Sequence, residues 1–254
     1  MAKFRLLALD LDNTLLTKDK RISSENKKWI RRAEAAGVTI LFATGRGRQT
    51  TQHLKEELDL TGPMVLVNGA EVWAGQNQLL RRYFIEKSDI RYLHDLAVRY
   101  DAKFWGYSAD SLTKMKDWNE SMFDVDWLKF GIRKDDLSMI KQIREEAQKL
   151  PNVEITRSAS VNMEVSLKGV SKATGVKKVC EHMHIGMENV MAMGDNLNDL
   201  ELIKAAGFGV AMENADDVLK DVADAVTTHH EEDGVARAIE RYLLSSEKEE
   251  SVPN

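Results

Sequence analysis

Short apolar runs alternate with longer amphipathic stretches over most of the chain. Residues 6–9 are all apolar and give way at once to polar residues, a run too short for a helix and typical of a strand buried on both faces. The next stretch has Ser23 and Ser24 as candidate N-caps and places its apolar residues on one helical face up to Ala36, before Gly37. Further strand-like runs follow at residues 38–43, 64–67, 189–193 and 209–211. Strands that alternate with helices favour right-handed crossovers, so we predict an α/β protein with a doubly wound, Rossmann-like parallel sheet.

The regular alternation of strands and helices changes between residues 79 and 168. This segment predicts the order helix, strand, helix, strand, helix, strand, strand, with residues 158–160 separating the last two strands. Its strands are less uniformly apolar, which is typical of a sheet with one face on helices and the other face open. We therefore predict a discontinuous core of residues 1–78 and 169–254, and an inserted α+β domain of residues 79–168.

Composition and charge narrow the possible partners and compartment. The 254 residues are 43% hydrophobic and 30% charged, and the net charge of −5 without a long basic run argues against a nucleic-acid partner. No apolar run approaches the ~20 residues that span a bilayer, and Asp10 and Asp12 interrupt the region where a signal peptide would be apolar. We therefore expect a cytoplasmic protein with no membrane partner, and the oligomeric state stays open. Residues 245–251 are polar and aperiodic, which predicts a frayed tail.

Two residue types are expected in apolar packing rather than in chemistry. The single cysteine, Cys180, falls at an apolar position of a predicted helix and excludes an intramolecular disulfide. The tryptophans of the insert are expected in its core rather than on a substrate-binding surface. They are Trp105, Trp118 and Trp127.

Polar side chains stand at the predicted carboxyl ends of four strands. They are Asp10 and Asp12, Thr44, Asn68, and Asp195 with Asn198 and Asp199. The carboxyl ends of parallel strands lie along one edge of a sheet, where ligands bind, so these groups can converge. Each group alone suits a turn or a helix cap, but their repetition at one edge favours a site. Carboxylate oxygens suit a hard cation such as Mg²⁺ and an oxygen-rich substrate.

Four segments resemble, in order, the motifs of the haloacid dehalogenase-like phosphohydrolases. They are Asp10-Leu11-Asp12-Asn13-Thr14, Thr44, Lys172, and Gly194-Asp195-Asn196-Leu197-Asn198-Asp199. Further segments resemble the Cof-type branch: Ala43-Thr44-Gly45-Arg46, Val67-Asn68-Gly69-Ala70, Gly169-Val170-Ser171-Lys172 and Asp233-Gly234-Val235-Ala236. That branch carries an α/β cap between its second and third motifs, where the insert lies. Asn13 stands where many members have Gly, and because Asn tolerates a left-handed backbone we expect the turn to be preserved.

The resemblance implies a Mg²⁺-dependent phosphatase that forms an aspartyl-phosphate. Asp10 would be the nucleophile and would bind Mg²⁺ with Asp195 and the backbone carbonyl of Asp12. The Asp12 side chain would be the general acid toward the leaving alcohol and then the base toward water. Thr44 and Lys172 would bind and neutralise the phosphoryl group. The supporting candidates are Gly45, Arg46, Asn68 and Asn198 for substrate or phosphate, with Asp199 orienting Lys172 or a metal-bound water.

The implied substrate is a small phosphate ester: a sugar phosphate, a nucleotide or a phosphorylated cofactor. A phosphomutase or phosphotransferase of the same family is an alternative, because the sequence does not show whether water reaches the phospho-enzyme. A receiver-type signalling domain also combines a phosphorylatable Asp, an acidic metal site, a Thr and a Lys, but it has no reason for a large insert. A metal-independent dehalogenase is disfavoured because it would not need Asp12 and Asp195. The intact motifs disfavour a non-catalytic binding module.

Overall fold

The computed structural model describes residues 3–244 of the chain. The strands are β1 (Leu6–Leu9), β2 (Thr39–Ala43), β3 (Met64–Leu66), β4 (Glu71–Trp73), β5 (Leu79–Arg82), β6 (Lys103–Ser108), β7 (Leu112–Lys114), β8 (Trp127–Arg133), β9 (Val153–Thr156), β10 (Asn162–Leu167), β11 (Val190–Gly194), β12 (Phe208–Ala211) and β13 (Ala225–Val226). The α-helices are α1 (Ser24–Ala35), α2 (Gln52–Leu58), α3 (Lys87–Arg99), α4 (Leu137–Ala147), α5 (Lys172–Met183), α6 (Leu200–Ala205), α7 (Asp217–Lys220) and α8 (Gly234–Ala238). Short 3-10 helices span Arg48–Thr50, Val67–Gly69, Met115–Asp117, Glu120–Asp124, Met187–Asn189, Leu197–Asp199 and His230–Glu232, and a π-helix spans Ile239–Leu243. The predicted frayed tail, residues 245–251, lies outside the described residues.

The larger sheet has eight strands in the order β13-β12-β11-β1-β2-β3-β4-β5. Strand β1 pairs in parallel with β11 on one side and β2 on the other, and all four of its residues are buried. Helix α1 packs on β2, and α5 packs on β3 and β4. The predicted α/β fold is confirmed. The uninterrupted apolar run of β1 indicated it, because a strand that is covered on both faces needs apolar residues throughout. Among residues 3–244 no helix is both long and apolar enough to cross a membrane.

The larger sheet is mixed rather than purely parallel. Strand β4 pairs antiparallel with β3, and β5 pairs antiparallel with β4. Residues 79–82, which the sequence assigned to the insert, therefore belong to the larger sheet. Strand β4 has only three residues, all buried, so it carries no readable alternation of apolar and polar positions. The hairpin adds two strands to the sheet at the point where the chain leaves it.

The smaller sheet is antiparallel, in the order β7-β6-β8-β10-β9. Helices α3 and α4 pack on one face, as the sequence predicts, and Trp127 and Trp118 lie in the apolar cluster beneath them. The second helix of the predicted order, between β6 and β8, is instead β7 followed by two 3-10 helices. Trp105 corrects a second expectation: it lies outside this apolar cluster and lines the cavity described below. Alternation along β6 puts its side chain on the face opposite the helices.

Candidate active site

Lys172 lies at the centre of a buried group of charged side chains. The Ser171 hydroxyl accepts from Thr174 N, and Ser171 N donates to Thr174 Oγ1, which makes a capping box at the start of α5. The box fixes Lys172 at the first helical position, where its side chain is fully buried. Lys172 Nζ donates hydrogen bonds to Asp10 Oδ1 at 2.7 Å and to Asp199 Oδ1 at 2.6 Å. The helix thereby joins the end of β1 to the turn that follows β11.

Two glycines allow α5 to approach β3 closely enough for these contacts. Gly69 has a φ of 101°, and a Cβ there would lie 2.1 Å from the carbonyl oxygen of Ser171. A Cβ at Gly175, within α5, would lie 2.5 Å from Val65 Cγ1. Side chains at either position would push the helix away, so only glycine fits.

Asp10, Asp195 and Asp199 form a buried acidic group in which a carboxylate oxygen from each lies within 4.8 Å of the others. Burial raises the pKa of Asp10 well above its usual value, and the carboxylates of Asp199 and Asp195 add to this against the effect of Lys172. Burial and the nearby Asp199 raise the pKa of Asp195 to about 6. Burial lowers the pKa of Lys172, but Asp10 and Asp199 outweigh it, so that pKa lies above its usual value. Three carboxylates face one ammonium group, and the unbalanced negative charge suits a divalent cation.

Asp199 differs from the other two carboxylates because both of its oxygens are already used. Its Oδ1 accepts from Lys172, and its Oδ2 accepts from the backbone N–H groups of Asp195 at 3.2 Å and Asn196 at 3.1 Å. A carboxylate held in this way orients Lys172 and closes the turn after β11. The donors best available to a metal are therefore Asp10 and Asp195, whose Oδ1 also accepts from Thr14 Oγ1 at 3.2 Å. These residues fit the Mg²⁺ that the resemblance implies.

The Asp12 carboxylate is turned away from the acidic group and toward two cations. Arg46 donates to it through Nε at 2.8 Å and Nη2 at 2.7 Å, and Lys20 Nζ donates at 2.7 Å. Burial alone would raise the pKa of Asp12, but the hydrogen bonds from Arg46 and Lys20 lower it to about 2. The next residue, Asn13, has a φ of 57°, so it takes the left-handed conformation expected of it. The sequence placed Arg46 on the substrate side without finding this bidentate ion pair.

The strand ends of β2 and β3 are joined through Thr44 and Asn68. Thr44 is buried, its Oγ1 accepts from Arg46 N at 3.2 Å, and its carbonyl oxygen accepts from Asn68 N at 3.0 Å. Asn68 has a φ of 56°, and its Oδ1 accepts from Asn198 Nδ2 at 3.2 Å. The Oδ1 atom of Asn198 is buried and finds no partner within residues 3–244. The hydroxyl of Thr44 can therefore donate into the site, and Asn198 keeps an unused acceptor there.

The smaller sheet contributes a charged pair that the sequence analysis missed. Lys129 on β8 and Glu164 on β10 form an ion pair at 2.9 Å, with side chains 3% and 9% exposed. Lys129 Nζ also donates to the carbonyl oxygen of Gly45 at 2.7 Å, and Glu164 Oε2 accepts from Asn68 Nδ2 at 2.8 Å. Each residue of the pair thus contacts the larger sheet. The available signal was a charged residue within the apolar part of strand β8, where a buried charge requires a partner.

A cavity of about 300 Å³ lies between the two sheets at this edge. Its lining residues are Asp10, Asp12, Asn13, Thr44, Gly45, Arg46, Trp105, Tyr107, Lys129, Ser158, Asn162, Glu164, Asp195, Asn196 and Asn198. Of the residues selected from the sequence, Lys172 and Asp199 lie behind Asp10, and Asn68 lies behind Asn198. The structure therefore brings all of them to one place, and the smaller sheet supplies the opposite wall.

Comparison with known proteins agrees with this architecture. The chain matches the family model of haloacid dehalogenase-like hydrolases at residues 7–130 and 113–239. It is 40% identical over 240 residues to a 5-amino-6-(5-phospho-D-ribitylamino)uracil phosphatase of Bacillus subtilis, covering 94% of this chain and 96% of the relative. It is 27% identical to a pyridoxal phosphate phosphatase of Escherichia coli, covering 94% and 99%. A haloacid dehalogenase-like hydrolase from Bacteroides thetaiotaomicron superposes with a TM-score of 0.81 at 27% identity, covering 94% of this chain and 99% of the other.

The matched segments together cover residues 7–239, which include all of the smaller sheet and also Asp10, Lys172 and Asp195. The full-length match to the Bacillus subtilis phosphatase extends across both sheets. The chain therefore belongs to the haloacid dehalogenase-like hydrolase family, as a phosphatase of its Cof-type branch.

Proposed function

We propose that the protein is a Mg²⁺-dependent phosphatase that hydrolyses a small phosphorylated metabolite through an aspartyl-phosphate on Asp10. The observation that carries the proposal is the Asp10 carboxylate, held by Lys172 at 2.7 Å at the wall of a cavity between the two sheets. A carboxylate in a fixed position beside a cation can attack phosphorus while the charge of the phosphate ester is offset.

In the first step an Asp10 oxygen bonds to phosphorus as the bond to the leaving alcohol breaks. Asp10 and Asp195, with the backbone carbonyl of Asp12, would hold Mg²⁺, which would supply positive charge to offset the phosphoryl dianion. Lys172 neutralises Asp10 and the adjoining phosphoryl oxygen, and the Thr44 hydroxyl donates to a second oxygen. The buried acceptor of Asn198 is available to a polar group of the ester. In the second step water attacks phosphorus, the bond to Asp10 breaks, and phosphate leaves.

Asp12 is proposed as the acid that protonates the leaving alcohol and as the base that takes a proton from water. While Arg46 and Lys20 hold it, Asp12 is an anion and can serve as a base. To deliver a proton it must leave these cations, so the proposal requires Arg46 to exchange Asp12 for the substrate during the cycle. Arg46 lines the same cavity, within reach of an anionic ester.

The smaller sheet with α3 and α4 is proposed as a cap that selects the leaving group. The residues of the phosphoryl site all lie outside the smaller sheet and its helices, and nothing among them recognises one alcohol over another. Ser158 and Asn162 line the cap wall of the cavity, and Asn196 on the larger-sheet side donates from Nδ2 to the Ser158 carbonyl oxygen at 3.1 Å across the boundary. A closed cap excludes bulk water and places these groups beside the alcohol.

The relatives indicate which esters to test first. The names of two of them describe a heteroaromatic ring with phosphate on a side chain: a ribitylaminouracil and a pyridoxal. We therefore propose 5-amino-6-(5-phospho-D-ribitylamino)uracil and pyridoxal phosphate as the first candidate substrates to test.

The test is phosphate release by the purified protein with Mg²⁺ or with EDTA, using these two esters and p-nitrophenyl phosphate. We expect multiple turnovers with Mg²⁺ and none with EDTA. Asp10→Asn should lose this activity, and the control Asp19→Asn, at an exposed site, should keep it. Release that stops near one equivalent would indicate a receiver-type phospho-acceptor instead. Transfer to an added alcohol in place of water would indicate a phosphotransferase.

A further inference from the structure

Trp105 has an unusual setting among the tryptophans of the cap. Trp118 stacks with Trp127 at a centroid distance of 4.9 Å and also contacts Phe104, Phe123 and Phe130. Within residues 3–244 no comparable ring pair or cation contact involves Trp105. Its indole therefore has an aromatic face that the rest of the cap does not use.

The indole packs directly over Gly131, which makes room for it. Trp105 pairs with Gly131 across β6 and β8, and Gly131 pairs in turn with Glu164 on β10. A Cβ at position 131 would lie 2.1 Å from Trp105 Cε2 and 2.2 Å from Cζ2, so the ring covers the glycine. The ring thus leans along the cross-strand row toward Glu164, whose Oε2 accepts a hydrogen bond from Asn68 Nδ2. Leaning the other way would have brought it over Lys114, its partner on β7.

The same indole forms part of two adjoining spaces. Trp105 lines the 300 Å³ cavity that contains Asp10, and it also lines an open groove of about 670 Å³ on the outer part of the cap. Tyr107 is the other shared residue, but its ring is fixed under Lys129 Nζ at 5.0 Å and against Gly47. Trp105 is therefore the aromatic surface that a ligand would meet on leaving the phosphoryl site.

The groove has one sign of charge. The charged residues that line it are Lys103, Lys114, Lys116 and Arg133, with no acidic residue among the lining. Ammonium and guanidinium groups donate hydrogen bonds and accept none, so they suit carbonyl or phenolate oxygens at a ring edge. Ser158 and Asn162 line the cavity that contains Asp10, and Asn162 Nδ2 donates to Ser158 Oγ at 2.9 Å, so this wall of the cavity is polar and suits a hydroxylated chain.

We propose that Trp105, seated on Gly131, is the stacking platform for a planar, oxygen-bearing heteroaromatic ring carried by the leaving group. The inference rests on the proposed function and names the class of ester that this phosphatase prefers. The phosphate lies at Asp10, a polar chain crosses the cap wall, and the ring stacks on the indole with its oxygens toward the basic groove. Trp105 is then a specificity-determining residue that contacts the substrate but takes no part in the bond changes.

The test compares ring-bearing with ringless esters. The ring-bearing esters are 5-amino-6-(5-phospho-D-ribitylamino)uracil and pyridoxal phosphate, and the ringless ester is ribitol 5-phosphate. Loss of a ring–aromatic stack costs about 1–3 kcal/mol, which is roughly 5- to 150-fold. We expect Trp105→Leu to lower kcat/KM for at least one ring-bearing ester by that factor, mainly through KM, and to leave ribitol 5-phosphate unchanged.

Two further variants separate stacking from damage to the cap. Trp105→Phe keeps an aromatic face and should retain most of the preference, whereas Gly131→Ala should reduce it by displacing the indole. Val98→Ala, an exposed apolar site on α3, should change neither ester and serves as the matched control. Binding of the three esters can also be measured by calorimetry in the Asp10→Asn background. Adding Trp105→Leu to that background should weaken the binding of a ring-bearing ester and leave that of ribitol 5-phosphate unchanged.

The outcomes distinguish the two proposals. If no ester is hydrolysed with Mg²⁺, the proposed function fails. If ribitol 5-phosphate is hydrolysed as efficiently as both ring-bearing esters, or if Trp105→Leu lowers all three equally, the phosphatase assignment stands and the platform is wrong.

Discussion

Replacing Glu164 by Gln tests the charged contact between the cap and the phosphoryl site. The change keeps the shape of the side chain but removes the anion that Lys129 faces at 2.9 Å, with both side chains at least 91% buried. Lys129 would remain a buried cation without its anion, with the carbonyl oxygen of Gly45 at 2.7 Å and the Tyr107 ring at 5.0 Å as neighbours. We expect a lower free energy of unfolding and a weaker hydrogen bond between Asn68 and position 164 of the cap.

The magnitude follows from the burial of the pair. Removing one partner of a buried ion pair costs about 3–5 kcal/mol, whereas neutralising both partners is often close to neutral. Gln keeps an acceptor for Asn68 Nδ2, so we expect a loss of about 3 kcal/mol. For a chain of this size that corresponds to a midpoint lowered by roughly 6–12 °C. The double variant Lys129→Met/Glu164→Gln should recover at least about half of the loss.

The assay is urea and thermal unfolding followed by tryptophan fluorescence, because three of the five tryptophans lie in the cap. Glu145→Gln is the matched control, since Glu145 lies 3.9 Å from Lys141 with both side chains more than half exposed. That control should stay within about 0.5 kcal/mol of the unaltered protein. Equal stability of Glu164→Gln and Glu145→Gln, or additive losses in the double variant, would refute the reasoning.

The pH dependence gives the same prediction a second readout. Burial raises the pKa of Glu164, but Lys129 and the hydrogen bonds from Ser158 and Asn68 outweigh it and hold the pKa below its usual 4.5. A depressed folded-state pKa contributes stability that is complete above the unfolded value and is lost as the pH falls through the folded value. The advantage of the unaltered protein over Glu164→Gln should therefore be constant near pH 7 and shrink below about pH 4.5. An advantage that grows on acidification would contradict the sign.

Three other changes test the site and the packing. Asp10→Asn should abolish phosphate release without lowering the unfolding midpoint in metal-free buffer, because Lys172 keeps its second carboxylate; retained turnover would move the nucleophile elsewhere. Asp12→Asn should slow esters of poor leaving groups by roughly 10²–10⁴-fold and p-nitrophenyl phosphate by less, and equal losses would exclude Asp12 as the acid. Burial raises the pKa of Cys180 to about 11, so its alkylation at pH 8, followed by mass spectrometry, should be on the order of 100-fold slower in the folded than in the urea-unfolded protein. Rapid native labelling would show that this thiol is not packed as described.

Much of the fold could be predicted because its signals are local. The apolar run of β1 and the periodicity of α1 each specify an element without reference to the rest of the chain. Three-residue strands carry too little pattern, so β4 and the antiparallel hairpin that it begins were missed. The same limit made β7 and its neighbouring 3-10 helices look like a helix.

The residues of the site also fall into those that the sequence could predict and those that it could not. The acidic group and Lys172 could be predicted because strand ends converge by topology, and the family motifs carry the same residues. The ion pair of Arg46 with Asp12 joins residues 34 apart, and the contact of Asn68 with Glu164 spans 96. No period or motif in one sequence encodes such pairings. Trp105 was expected in the core since tryptophan is mostly buried, and only the register with Gly131 shows which face it occupies.

The central position of β1 has a consequence for the order in which the protein is made. Its parallel partner β11 follows after the entire cap, and Lys172 is 162 residues from Asp10. At synthesis rates of about 5–20 residues per second, Lys172 emerges roughly 8–30 s after Asp10. The cap, whose strands pair only with one another, can fold during that interval, while β1 waits with one edge unpaired. The nascent chain therefore exposes an apolar strand edge until translation is well advanced, and an unpaired edge of this kind is prone to aggregation.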